Sequence, residues 1–528
     1  MSTPVNRNAQ CYLVGGGIAS MASAVFLIRD AHVSGDSIHI YEQLESVGGS
    51  LDGSGGPVDG YLVRGGRMFE KHFACTFDLL STIPSADDKK ISVKDDIFMF
   101  NDVVHGRSEC RLVRNGEKAD MSDFGLSHKH MLDLNRVMLH TEKGLSGRTI
   151  KSCFQRSFFD TNFWIMWSTM FSFQPWHAAV EMRRYLRRFI HLFPGFKRIE
   201  GILRTRYNQY DSFIEPMANW LSEQGVHTAL STTVTDIVFA DIDGKRQVTS
   251  MELEHDGRQE RITVNEQDRV FITLGTMTGS STCGSNELAP PLPADGDASW
   301  SLWRKLANRY ADFGNPETFC SHSEKTGWAS FTVTLDNDAF ITFMEGVTGN
   351  RTGTGGLVTF LESGWMMSIV MFHQPHFREQ VSNKYVFWGY GLRADRIGDV
   401  VRKPMYECTG LEILQELSGQ LKLDDKQANF FLGAKVVSCR MPYITSQFMP
   451  RRTGDRPAVV PKLSRNYALI GQYCEVPRDT VFTVEYSVRT AMRAVHQLTS
   501  SSKAPPRVHR SDLEPAVLMR AVNTLMRG

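Results

Sequence analysis

The residues best suited to chemistry form a glycine-rich loop near the N-terminus, between a short apolar run and an apolar helical pattern. Glycines let a backbone approach a diphosphate closely, and a helix that begins beside them offers unpaired N–H groups to an anion. Glu42 ends a second apolar run about 20 residues further on, where a ribose hydroxyl needs an acceptor. A solvated acid at a strand end is the simpler alternative for Glu42. The predicted dinucleotide-binding residues are Gly15, Gly17, Ala19, Ser20 and Glu42, with Ser20 in a position that usually holds Gly or Ala.

Two more glycine loops follow, at residues 47–53 and 60–67. Several such loops suit a long cofactor that lies across several backbone turns, whereas a plain nicotinamide enzyme rarely needs them. Apolar strands at residues 227–240 and 467–471 return the chain to the same domain. The further predicted cofactor residues are Gln43, Gly48, Gly49, Ser50, Arg64, Gly65, Gly66, Arg67, Val234 and Gly471.

An aromatic helical pattern at residues 151–222 suits either a packed core or the lining for a long apolar substrate. Tyr185 lies within it, among four arginines, where composition alone favours a basic, solvated helix face.

Strands and helices must hold these groups in place, and their predicted order along the chain indicates an α/β fold. The fold resembles two-dinucleotide-domain flavoproteins, with a Rossmann-type domain assembled from discontinuous segments. Residues 1–140, 223–295 and 436–500 are assigned to the cofactor domain, and 141–222 to a helical substrate channel. Residues 296–435 are predicted to form a mixed α+β substrate domain. A last helix at 480–498 would point its positive end at the cofactor. The tail, 501–528, is amphipathic, which favours a packed helix over a dimer contact or a membrane-surface helix.

Composition narrows the class of protein. The 528 residues contain 59 Lys and Arg against 58 Asp and Glu, so the net charge is close to zero and does not attract nucleic acid. Nine scattered cysteines without a C-x-x-C pair suit a reducing cytoplasm. We find no signal peptide and no apolar run that could span a bilayer, so the protein is expected to be soluble or to lie on the inner membrane face.

The motifs together resemble the oleate hydratase family, also called myosin-cross-reactive antigens. The matching stretches are GGGIASMASAVFLI, YEQLESVGGSLDG, RGGR, NFWIMWSTMFSFQPWH, YNQYDSF, HQPHF, VFWGYGL and MPYITSQFMPR, which run from about residue 10 to 495. The resemblance implies FAD and a hydro-lyase that adds water to the cis-9 double bond of an unsaturated free fatty acid. Oleate would give 10-hydroxystearate without net redox change, and the reduced flavin is expected to be the more active form.

The resemblance also implies residue roles. Tyr185 would protonate the alkene, with Arg184 or Arg188 favouring the developing phenolate, and Gln209 would lie near the substrate carboxylate. The usual water-activating glutamate follows Arg-Gly-Gly-Arg, where this chain has Met68. A thioether cannot take a proton, and Glu70 is expected to lie about 200° away around a helix that begins here. Backbone carbonyls of Gly65, Gly66 and Arg67 are therefore predicted to hold the water.

Other departures leave alternatives open. Val370 and Phe372 replace expected polar partners of the carboxylate, and an N-terminal extension found in many relatives is missing, which favours a monomer over a homodimer. A flavin-dependent lipid oxidoreductase, desaturase or isomerase would share every cofactor motif. A non-catalytic, lipid-binding or membrane-surface flavoprotein is the second alternative.

Overall fold

The computed structural model describes residues 9–66, 68–293 and 297–527. Arg67, a predicted cofactor residue, lies outside the described residues. The strands are β1 (Cys11–Val14), β2 (Ile38–Tyr41), β3 (Ser54–Gly56), β4 (Gly60–Leu62), β5 (Phe69–Glu70), β6 (Leu112–Arg114), β7 (Glu117–Lys118), β8 (Ile202–Leu203), β9 (His227–Ala229), β10 (Thr232–Ile242), β11 (Lys245–His255), β12 (Arg258–Thr263), β13 (Arg269–Thr273), β14 (Thr282–Cys283), β15 (Trp328–Leu335), β16 (Leu357–Phe360), β17 (Met367–Met371), β18 (Tyr385–Gly391), β19 (Lys435–Met441) and β20 (Tyr467–Ile470).

The α-helices connect and cover these strands. They are α1 (Ile18–Ala31), α2 (Ala74–Leu80), α3 (Val93–Val103), α4 (His128–Leu139), α5 (Asn162–Phe171), α6 (Ala179–Phe189), α7 (Glu215–Glu223), α8 (Ala298–Arg309), α9 (Glu317–Cys320), α10 (Ser323–Thr326), α11 (Ala339–Thr348), α12 (Gly410–Gln420), α13 (Val484–Thr499) and α14 (Pro515–Arg527).

Five parallel strands form one sheet, in the order β20-β13-β1-β2-β9. Strands covered on both faces must be apolar, and every residue of β1 and β20 is buried. Helices α1 and α13 pack against each other and contact β13 and β20, respectively. Because the sheet gathers strands from residue 11 to residue 470, the predicted α/β fold with a discontinuous Rossmann-type domain is confirmed.

A second sheet of eight strands has the order β14-β19-β15-β18-β17-β16-β6-β7. It takes β6 and β7 from residues 1–140 and most of β19 from residues 436–500, although both segments were assigned to the cofactor domain. Leu112 and Val113 are buried in β6, which pairs with β16. These two residues form a short apolar run in an otherwise polar part of the sequence, and they belong to the second sheet.

Two helices begin later than their apolar spacing predicts. A helix was expected from Met68 onward, but β5 pairs with β8 and the helix starts only at Ala74. The last covering helix begins at Val484 instead of residue 480, where the Thr483 hydroxyl accepts a hydrogen bond from Tyr486 N. In both places tertiary pairing or capping overrides the local spacing.

The C-terminal helix α14 packs on the 3₁₀ segment Ile190–Arg198. Val517 and Ala521 are buried in this contact, as the packed-helix interpretation predicts, while Met519 and Met526 are exposed. Within the described ranges, every helix is too short or too polar to cross a bilayer.

Candidate active site

A cavity opens where β1, β2, β13 and β20 end, since the carboxyl ends of parallel strands meet at one edge of a sheet. We call it the cofactor cavity. It brings together most of the cofactor residues predicted from the sequence. They are Gly15, Gly17, Ala19, Glu42, Gln43, Gly48, Gly49, Ser50, Arg64, Val234 and Gly471.

The first turn of α1 faces this cavity through Gly17. Gly17 is the N-cap residue and forms no side-chain capping bond, so backbone N–H groups of the first turn are left for a ligand. A Cβ added at Gly17 would meet no atom within 4 Å, which shows that the space in front of the helix is open. Gly48 N donates to Gly16 O at 2.9 Å and holds the second loop against the first. This arrangement fits a diphosphate.

Glu42 forms the acidic wall of the cofactor cavity directly after β2. Its carboxylate is buried and accepts hydrogen bonds from Gly16 N at 2.5 Å and Leu44 N at 2.9 Å. Burial raises the pKa of Glu42, while the Leu44 and Gly16 N–H groups act in the opposite direction. A carboxylate at this position suits a ribose hydroxyl.

Three predicted cofactor residues lie elsewhere. Ser20 is fully buried, and its hydroxyl lies 3.3 Å from Thr273 Oγ1, where it joins α1 to β13 outside the cavity lining. Gly65 and Gly66 line a neighbouring cavity, described next.

The neighbouring cavity, which we call the substrate chamber, shares Ser50 with the cofactor cavity. Its wall is mainly apolar and aromatic, as a long hydrocarbon requires. It includes Gly65, Gly66, Met68, Gln209, Trp328, Val370, Phe372, Trp388 and Tyr390.

A further space, the tyrosine chamber, adjoins the substrate chamber. The two share Gly66, Met68, Met170 and Phe482. Tyr185 lines its far side, together with Phe171, Phe189 and Glu70. The structure therefore brings Tyr185, Met68 and Gly66 together around the tyrosine chamber, and Met68 and Gly66 also line the substrate chamber.

Tyr185 lies on α6 and is 2% exposed. Its hydroxyl donates to Val481 O at 2.6 Å, and its ring contacts Phe171 and Phe173 edge-on. Burial raises the pKa of Tyr185 well above its usual value, and the charges of Glu181 and Asp479 add to the increase. The phenol consequently holds its proton throughout the physiological pH range.

Arg184 does not favour a phenolate at Tyr185, contrary to the expectation from the arginine-rich pattern. Its guanidinium lies 2.7 Å from Glu142 and 2.6 Å from Glu475, so its charge is already balanced by carboxylates. The spacing of arginines along a helix cannot reveal such partners, because they come from segments far away in the chain.

Glu70 lines the tyrosine chamber, so the expectation that a helix turns it away from Met68 was wrong. It lies on β5, where residues two apart share a face. Its carboxylate bonds to His72 and, at 3.1 Å, to His191. Burial alone would raise the pKa of Glu70, but His191, Arg188 and His72 outweigh it and lower the pKa to about 2. Such a carboxylate is a poor proton acceptor.

A cationic residue that the sequence interpretation missed, Arg204, also lines the substrate chamber. Among the described residues, its guanidinium donates only to the carbonyls of Thr354 at 3.2 Å and Gly355 at 3.4 Å. Burial lowers the pKa of Arg204 to about 10. Buried charges normally have a counter-ion, so this guanidinium is suited to an anionic ligand group.

Gln209 lies in the same chamber wall and is 6% exposed. Both atoms of its side-chain amide are buried without a hydrogen-bond partner in the described part of the chain. Since buried amides are nearly always bonded, Gln209 offers a donor to a ligand in the chamber.

Comparison with protein families assigns the chain. A model described as the MCRA family matches residues 8–496. The chain belongs to the MCRA family. This MCRA-family chain is 40% identical over 524 residues to an oleate hydratase of Streptococcus pyogenes serotype M49 (strain NZ131), covering 97% of this chain and 88% of the relative. It is 31% identical over 567 residues to a linoleate hydratase of Lactiplantibacillus plantarum, covering 98% of both chains.

Solved structures agree on the fold of this MCRA-family chain. An oxidoreductase from Methanosarcina mazei superposes with a TM-score of 0.50 at 13% identity, covering 92% of this chain and 100% of that one. At this identity the likeness shows the α/β architecture alone.

Proposed function

We propose that this MCRA-family protein is a hydro-lyase that adds water across the cis-9 double bond of unsaturated free fatty acids, converting oleate to 10-hydroxystearate. The observation that carries the proposal is a buried, protonated phenol in a chamber that adjoins the substrate chamber, which in turn shares Ser50 with a dinucleotide-type cavity. The hydratase names of two relatives across nearly the whole chain support it.

FAD is the cofactor that the cavity fits best. The open space at Gly17 and the first turn of α1 would receive its diphosphate, and Glu42 its ribose. Thr483, the N-cap of α13, lines the tyrosine chamber, so the positive end of that helix faces the same region. Bound FAD, more active when reduced, would supply shape and negative charge without net redox change.

Tyr185 would deliver the proton. Its hydroxyl lines the tyrosine chamber and keeps its proton at physiological pH, because burial raises its pKa. Phenol is a weak acid, so transfer to an alkene requires the dry surroundings that Phe171, Phe189 and Phe482 provide.

Water would be held by backbone carbonyls of Gly65 and Gly66, which line the substrate chamber beside Met68. Met68 accepts no proton, and the pKa of Glu70, lowered to about 2, makes it a weak base. The sequence departure at Met68 is consistent with water being positioned more than activated.

Arg204 and Gln209 would bind the substrate carboxylate. Arg204 provides a partly buried positive charge without a carboxylate partner among the described residues, and Gln209 provides an amide that is unbonded within the same residues. Val370 and Phe372, which take the place of expected polar groups, then act as apolar walls for the chain of the fatty acid.

The reaction is tested by incubating the FAD-loaded, reduced protein with oleate in ¹⁸O-labelled water and determining the product mass. Hydration adds one labelled water. A flavin-dependent desaturase would remove two hydrogens and an isomerase would leave the mass unchanged, so either result would contradict the proposal.

We retain three further proposals about its setting. All nine cysteines, which lie in the described ranges, are free thiols, which supports a reducing cytoplasm. Exposed Met519 and Met526 on α14 support peripheral contact with a membrane.

A monomer is the expected oligomeric state, and light scattering of the purified protein tests it.

A further inference from the structure

A cavity of about 460 Å³ lies along α6 and the C-terminal segment, outside the cofactor cavity and both chambers. We call it the arginine cavity. Six arginines line it, with Glu142 the one carboxylate among its described lining residues. The arginines are Arg183, Arg184, Arg187, Arg188, Arg478 and Arg510.

Carboxylates balance only some of these charges. Arg184 is paired with Glu142 and Glu475, and Asp512 is shared by Arg187 and Arg510. Glu142 lies 3.7 Å from Arg183, which is longer than its 2.7 Å contact with Arg184. The carboxylates are therefore fewer than the guanidinium groups that converge on the cavity.

Two buried arginines have donors without acceptors. Arg183 is 8% exposed and its Nε has no hydrogen-bond partner in the described part of the chain. Arg188 is 2% exposed and lacks a partner at both Nε and Nη1, with Glu70 at 3.8 Å. Burial lowers the pKa of Arg183, and the charge of Arg187 lowers it further. Buried donors without acceptors are uncommon and indicate a missing ligand.

Arg478 completes the rim. It is exposed, its backbone has a φ of 69°, and within the described residues it forms no ion pair. A non-glycine residue in the left-handed region costs about 1 kcal/mol or more, and such strain is concentrated at binding sites. The strained backbone holds a positive charge at the mouth of the cavity, with no partner to explain it.

We propose that the arginine cavity binds the phosphate group of a phosphomonoester. Guanidinium groups bind phosphate oxygens through paired, charge-assisted hydrogen bonds, and a dianion suits several converging arginines better than a carboxylate does. A volume of about 460 Å³ exceeds that of a phosphate ion and leaves room for an organic portion. A soluble phosphomonoester and the headgroup of phosphatidic acid share this chemistry.

The test is a calorimetric titration of the full-length protein saturated with FAD, so that the cofactor cavity is filled. Inorganic phosphate, glycerol phosphate and vesicles that contain phosphatidic acid are the three ligands. The double variant Arg183→Gln/Arg478→Gln is expected to bind at least about tenfold more weakly than the unaltered protein. Arg258→Gln, on the exposed strand β12, is the matched control and is expected to leave binding unchanged.

If the unaltered protein binds glycerol phosphate and the double variant does not, the ligand is a soluble phosphomonoester. If the unaltered protein binds the vesicles and the double variant does not, the ligand is a lipid headgroup. Equal binding by the double variant and the unaltered protein would overturn the site. Absence of saturable binding of all three ligands up to about 1 mM would also overturn it. None of these readouts depends on hydration activity.

Discussion

At the scale of single residues, the proposed mechanism depends most on Tyr185, because its hydroxyl is the proton source proposed for the alkene. We expect Tyr185→Phe to lower kcat on oleate by roughly 10²–10⁴-fold, the usual contribution of general acid catalysis. Loss of its bond to Val481 O removes one buried hydrogen bond, so the fold should persist. The measurement is steady-state hydration together with FAD and oleate binding. Unchanged turnover would remove Tyr185 from the mechanism.

Met68 tests how water is handled. A carboxylate at this position would lie in the wall common to both chambers, close to the proposed water. We expect Met68→Glu to retain or raise kcat, because it adds a proton acceptor where Met68 has none. Met68→Gln, which is similar in size but not basic, is the control. A well-folded but inactive Met68→Glu protein would contradict the placement of the water.

Arg204 tests the carboxylate proposal. Replacing it with Met is expected to raise KM for oleate by about tenfold or more, because the substrate loses a charge-assisted contact. Methyl oleate, which lacks the charge, should be affected far less. Arg111 is the control, since it also donates only to backbone carbonyls among the described residues, those of Phe196 and Met166, and lies outside the chamber lining. If Arg204→Met leaves the KM for oleate unchanged, Arg204 does not bind the substrate carboxylate.

Prediction from sequence succeeds at residue scale where the signal is local. Gly15, Gly17 and Glu42 are close in the chain, so their spacing is enough to place them around one cavity. The roles of Arg204 and Glu70 could not be predicted from the sequence. They depend on which groups from distant parts of the chain pair with these two side chains.

At the scale of elements, the first turn of α1 and its N-cap Gly17 are the proposed binding site for the cofactor diphosphate. A methyl group at Gly17 would meet no protein atom within 4 Å, and its φ of −73° is compatible with alanine. We therefore expect Gly17→Ala to leave the melting temperature of the apoprotein unchanged while weakening FAD binding by about tenfold or more.

The measurement for Gly17→Ala is the quenching of flavin fluorescence on titration. Gly346→Ala, within α11, also meets nothing within 4 Å and serves as the control with normal FAD affinity. Undiminished FAD binding by Gly17→Ala would show that the diphosphate lies elsewhere.

Elements were predictable where hydrophobic periodicity and chain neighbours agree, as in β1, α1 and β2. The segment after Met68 fails this condition, because the pairing of β5 with β8 joins residues more than a hundred positions apart. The strand β6 was missed for the same reason, since its partner β16 lies far along the chain.

At the scale of the whole molecule, Glu181 links α6 to the loop before β20. It is fully buried, and its Oε1 accepts hydrogen bonds from Arg451 and Arg456, each at 3.0 Å. Burial alone would raise the pKa of Glu181, but Arg456, Arg451 and Arg184 outweigh it and lower the pKa from 4.5 to about 2. The carboxylate therefore favours the folded state above pH 4.5, and this stability is lost as the pH falls from 4.5 toward 2.

We expect Glu181→Gln to lower the free energy of unfolding near neutral pH by about 3 kcal/mol, because the two arginines lose their counter-ion. The loss should shrink in acid, because below pH 4.5 the unfolded chain binds a proton at Glu181 and this offsets part of the stability that the native carboxylate provides. Chemical unfolding at neutral pH and near pH 3 measures both values, with the exposed Glu117→Gln as control. A loss that stays equal at both pH values would contradict a charge effect.

The parallel sheet has a consequence for how the protein is made. Its edge strand β20 pairs with β13, and Gly471, which borders the cofactor cavity, comes directly after β20. A nascent chain on the ribosome therefore lacks one wall of that cavity until almost nine-tenths of the residues have been joined. Flavin capture is consequently a late event in biogenesis, and truncated translation products are expected to leave the ribosome colourless.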